Sequence, residues 1–109
     1  MTRWYTSALL LAVLACCALW ADNITTYACF ALFPDNVREL NPLTRFLIGH
    51  WGVGPTMLIN AFWGTLLIAW LMDVTTKYHT HFGMFLLVLI IFLRSWGAIN
   101  NYHILITYS

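Results

Sequence analysis

The chain has 109 residues, of which 61% are hydrophobic, 17% aromatic and only 8% charged, with a formal net charge of +1. That composition excludes a disordered segment, makes a soluble domain a poor fit, and supplies no basic patch for nucleic acid. Three cysteines are too few for a disulfide scaffold, and the adjacent Cys16 and Cys17 fall inside an apolar run, where they read as small packing residues.

Residues 4 to 21 and 46 to 72 carry no Asp, Glu, Lys or Arg, and residues 78 to 109 carry Arg94 alone. A spanning helix needs about 20 largely apolar residues, so the sequence predicts an all-α, polytopic membrane protein of three transmembrane helices. The whole chain, residues 1–109, then forms one transmembrane helical domain, with helices over about 4–33, 55–72 and 82–107. Little remains for an extramembrane domain.

The first helix begins near Trp4 and extends to Phe33, about 45 Å at the usual rise, against a hydrocarbon core of about 30 Å. It must tilt, kink or protrude. Its opening, Met1-Thr2-Arg3 before an apolar run, has the form of a signal peptide, and Val13-Leu14-Ala15-Cys16 that of a lipoprotein-type cleavage sequence. The alternative reading is a retained structural helix.

The first connection, from Pro34 to about Gly49, predicts a loop with a short interfacial segment, because Pro34-Asp35-Asn36 is a cap-like start and Asn41-Pro42 a break. Arg38, Glu39 and Arg45 make it the most charged part of the chain. The second helix opens on Pro55, a favourable first-turn residue, and ends at Met72. Asp73 to His81 is read as the second connection. The near-membrane Lys and Arg then divide evenly, Arg3 and Lys77 against Arg38 and Arg45, so the positive-inside rule selects no orientation.

The third helix holds the chain's most telling residue, Arg94. Its apolar stretch from Phe82 to Leu93 contributes roughly −3 to −6 kcal/mol to insertion, against roughly +2.5 to +3.5 for a central arginine, so insertion tolerates the charge but the charge needs a partner. Measured from the side of the N-terminus, Asp22 lies about 27 Å along helix 1, Arg94 about 18 Å and Asn101 about 28 Å along helix 3, and Asn60 about 18 Å from the same face. Thr25 and Thr26 share the Asp22 stripe, and Asn100 and Asn101 follow Arg94. The predicted intramembrane polar cluster is therefore Asp22, Thr25, Thr26, Asn60, Arg94, Asn100 and Asn101. Two readings fit it: a structural ion pair bridged by asparagines, and a site for an ion, a proton or a polar ligand.

His79 and His81 form a weak candidate for copper or zinc, without a third ligand adjacent in sequence, so no metal and no cofactor is expected. No serine, histidine and aspartate arrangement, zinc-protease motif or phosphate loop occurs, and no enzymatic activity is expected.

The order Asp22 with Thr26 (D-x-x-x-T), Glu39-Leu40-Asn41-Pro42 (E-x-N-P), and a late asparagine resembles a family of small prokaryotic and phage-encoded integral membrane proteins. The likeness covers about Leu9 to Asn101, and Glu39, Asn41 and Pro42 are its most distinctive part. Helix 2 of that family often carries a basic residue where this chain has Asn60. The resemblance implies a compact helical membrane fold with a shared polar site, and no reaction. The expected function is a non-catalytic accessory or assembly subunit of a larger membrane complex, in a prokaryotic inner membrane, with the bilayer and other membrane subunits or itself as partners. The alternatives are an oligomeric ion channel or ion-coupled carrier, a phage-encoded modifier of the host envelope, and a copper- or zinc-binding helper.

Overall fold

A computed structural model describes residues 2–33, 42–78 and 80–109. Among them are four helices: α1 (Thr2–Leu32), α2 (Pro42–Trp51), α3 (Val53–Tyr78) and α4 (His81–Tyr108). Three of these, α1, α3 and α4, are long and apolar enough to cross a membrane. The loop motif residues Glu39 and Asn41 lie outside the described residues, as does His79; Pro42 opens α2.

Each long helix is apolar around most of its circumference, so hydrophobicity alone does not say which side meets a neighbour. Small and polar residues do. On α1 the inward seam is Ala8, Ala12, Ala15, Leu19, Asp22, Thr26 and Cys29. On α3 it is Gly54, Met57, Ala61, Gly64, Ile68, Leu71 and Thr75, and on α4 Gly83, Leu87, Ile90, Arg94, Gly97 and Asn101. All three alternate steps of three and four residues, the spacing that holds one stripe against a partner helix. Ala8, Ala15 and Cys29 are fully buried, and Leu19, Ile68 and Leu87 fill the space that the alanines leave. Small side chains on α1 permit close backbone approach where no hydrophobic gradient drives association.

The central helix is α1, which packs along both α3 and α4, while α3 and α4 touch each other least among the three. It runs parallel to α4: Trp4 meets His81 edge-on at one end, with centroids 5.2 Å apart, and Phe33 meets Tyr108 at the other. It runs antiparallel to α3, with Trp4 Nε1 donating to the Thr75 carbonyl at 2.7 Å and Trp20 Nε1 to Thr65 Oγ1 at 3.2 Å.

The second connection is far shorter than the sequence suggests. Residues 73 to 78 continue α3: they contain no Gly or Pro to end it, and Thr76 Oγ1 turns back on the Met72 carbonyl at 2.9 Å instead of capping a new turn. The chain then turns at Thr80, whose hydroxyl accepts from Phe82 N at 3.1 Å and caps α4.

Between α2 and α3 the chain turns at Gly52, with φ at +87°, and Gly52 N donates to the Ile48 carbonyl at 2.9 Å in a left-handed helix stop. A Cβ there has room, its nearest neighbour being Pro55 Cδ at 4.0 Å, so the penalty for a side chain is conformational. Gly52→Ala is expected to lose about 1 kcal/mol. Gly49→Ala, where a Cβ meets nothing, provides the control in the same reversible unfolding measurement.

Candidate functional site

Asp22 and Arg94 face each other because their seams are in register along the parallel α1–α4 pair. Arg94 Nη1 donates to Asp22 Oδ2 at 2.9 Å, a charge-assisted bond with the side chains 32% and 18% exposed, respectively. The other carboxylate oxygen, Oδ1, accepts from Asn101 Nδ2 at 3.4 Å. The carboxylate lies directly against the α4 backbone at Gly97, where a Cβ would come within 2.5 Å of Oδ1.

Asn101 is the second anchor. Its Nδ2 also donates to Thr26 Oγ1 at 2.8 Å and Thr25 Oγ1 at 3.0 Å, and approaches the Asp22 carbonyl at 3.4 Å. Each threonine hydroxyl spends its own hydrogen on α1, Thr25 on the Ala21 carbonyl at 2.7 Å and Thr26 on the Asp22 carbonyl at 2.7 Å. Their remaining lone pairs point to α4, and four surrounding oxygens fix the amide with its NH2 toward α1. One turn further on, the Cys29 thiol donates to the Asn101 carbonyl at 3.3 Å. Asn101 is thus held from both its side chain and its backbone.

Five of the seven cluster residues meet here: Asp22, Thr25, Thr26, Arg94 and Asn101. Asn100 stands one residue, or about 100°, around the helix and is exposed. Asn60 also stays apart: its Oδ1 is buried and accepts no hydrogen bond, as is true of Thr56 Oγ1 one turn earlier. Gly54 lies beside Tyr27 and Gly64 beside Leu19, which sets Asn60 at about the level of Asp22. It is level with the ion pair without bonding to it.

Two residues escape a reading based on charge alone. Asn23 is 5% exposed and donates to the Leu19 carbonyl at 2.8 Å, on the α3 side of α1. It sits in an apolar groove of about 330 Å³ between α1 and α3, beside Trp20, Tyr27, Met57 and Ala61. The signal was its position four residues after Leu19, since the 100° step per residue sends neighbouring Asp22 and Asn23 to different partners. Trp4 is the other, its indole N–H donating to the Thr75 carbonyl of α3.

His81 packs on Trp4, and His103 is exposed. Among the described residues no three His, Cys, Asp or Glu side chains converge as a metal site would need. Chemically the cluster is a neutral pair whose acceptors are met by donors on a facing helix, which suits it to hold α1 against α4. Asn101→Leu is expected to cost about 1–2 kcal/mol, because two hydroxyls and Asp22 Oδ1 lose a shared donor, while exposed Asn100→Leu changes the unfolding energy of the isolated chain by about 0.5 kcal/mol or less. Unfolding of both variants in mild detergent measures the difference. No known protein family, curated protein or solved structure matches the chain.

Proposed function

We propose that this chain is a non-catalytic integral membrane subunit that accompanies or assembles a larger membrane complex, with α1, α3 and α4 crossing a prokaryotic inner membrane and α2 lying at its surface. One observation carries the reading: both Asp22 carboxylate oxygens accept from α4 side chains, so this carboxylate is engaged in holding two helices together. The outer surface supports it. Phe62, Trp63, Trp70, Phe85, Phe92 and Trp96 are all more than half exposed, a bulky aromatic surface suited to lipid and to neighbouring helices. A phage-encoded modifier of a host envelope complex is a variant of the same reading.

The unpartnered Asn60 Oδ1, level with the ion pair, and Thr56 Oγ1 one turn away favour a second reading as an oligomeric channel or ion-coupled carrier. Extraction of the tagged chain in polymer nanodiscs, followed by native mass spectrometry, separates the two. A defined complex with foreign subunits is the expected result. Recovery without foreign subunits, joined to proteoliposome ion flux that disappears in Asp22→Asn, would replace the first reading with the second.

A further inference from the structure

The α4 helix has two seams, and α1 occupies only one. On its far side Phe85, Leu89, Phe92, Trp96, Asn100 and His103 recur at three- and four-residue steps, and all six are exposed. Lipid tails satisfy the aromatic members of this stripe. They cannot satisfy Asn100, whose amide has two donors and an acceptor.

Depth makes the difficulty concrete. The 28 residues of α4 are about 42 Å long, and Asn100 lies eight residues before Tyr108, about 12 Å from that end. A centred hydrocarbon core of about 30 Å places the amide about 6 Å inside its boundary, too deep for so short a side chain to reach water. Every other exposed polar residue described on the three long helices lies closer to a helix end. Asn100 therefore needs a protein partner in the bilayer.

We infer that the partner is a second copy of this chain, paired through the outer seam of α4 with Asn100 opposite Asn100 across a two-fold axis. The argument is complementarity. An asparagine amide both donates and accepts, so Asn100 satisfies its own copy when the seam is duplicated. No Asp, Glu, Lys or Arg lies on the seam to repel a like surface or to call for an opposite one. Copies inserted in the same orientation must bring their α4 helices together in parallel, the arrangement in which a single polar seam residue fixes register between aromatic and aliphatic neighbours. The inference rests on the membrane-spanning assignment and not on the accessory-subunit reading.

The test is energy transfer between donor- and acceptor-labelled copies of the purified chain in phosphatidylcholine vesicles, titrated by diluting protein into lipid. Wild type is expected to pair. Asn100→Leu should weaken pairing roughly tenfold, two symmetric hydrogen bonds being lost, and Asn100→Gln should keep it within about threefold. Because Asn100 is exposed, both variants should retain wild-type helical circular dichroism, which checks folding. In native membranes Trp96→Cys, with Cys16, Cys17 and Cys29 replaced by alanine, should oxidise to a dimer of the chain. Absence of energy transfer at every dilution, equal pairing in Asn100→Leu, or a position-96 crosslink to a different polypeptide would each overturn the inference. Foreign subunits recovered elsewhere on the chain bear only on the accessory-subunit reading.

Discussion

Arg94→Leu is expected to destabilise the fold by about 3 kcal/mol, the low end for breaking an enclosed ion pair because the arginine keeps about a third of its surface. The cost arises chiefly from what is left behind. Asp22 stays pressed against Gly97 with Asn101 as its remaining side-chain donor, and a carboxylate among apolar helices is poorly solvated. Replacing both partners, Asp22→Leu with Arg94→Leu, removes the stranded charge and should return most of the stability as the larger side chain at position 22 repacks beside Gly97. Reversible unfolding of wild type, both single variants and the double variant in one detergent gives the coupling energy directly. The same four proteins test the functional reading: if the pair only holds helices, the double variant still assembles with its partners, whereas a site that binds an ion or ligand stays lost.

The helical class and the number of long apolar helices were legible because length and charge-free runs act locally. Rise per residue places Asp22, Arg94 and Asn101 at heights that allow them to meet, and the parallel α1–α4 pairing brings them together. What the sequence concealed was rotation about the helix axis. Asn100 and Asn101 are indistinguishable as neighbours in sequence, yet 100° decides that one bonds to Asp22 and the other faces outward. Ending the second helix at Met72 sets Asn60 about 9 Å short of Asp22; α3 runs on to Tyr78 and brings the two level, yet Asn60 Oδ1 accepts no hydrogen bond. The end of α3 was misjudged for another reason. Asp73 and Lys77 look like a loop when polarity is taken as a helix stop, although nothing in residues 73 to 78 lacks a backbone donor or breaks the helical conformation.

Gly97 offers the sharpest test of whether the ion pair depends on close approach of α1 and α4. A methyl group at position 97 would sit 2.5 Å from Asp22 Oδ1 and 3.0 Å from its Cγ, and the carboxylate cannot swing aside without giving up Arg94 or Asn101. Gly97→Ala is therefore expected to cost about 2 kcal/mol despite the better helix propensity of alanine. Gly64→Ala meets the Leu19 methyl carbons at 2.7 and 2.9 Å, the mobile end of an apolar side chain, and should cost less. The decisive comparison places Gly97→Ala on an Asp22→Ala, Arg94→Leu background, where both the carboxylate and the charge that needs it are gone. There the substitution should become neutral or stabilising in the same unfolding measurement. A full 2 kcal/mol cost on that background would locate the crowding in the helix backbones, and the carboxylate at Asp22 would no longer be what sets the α1–α4 distance.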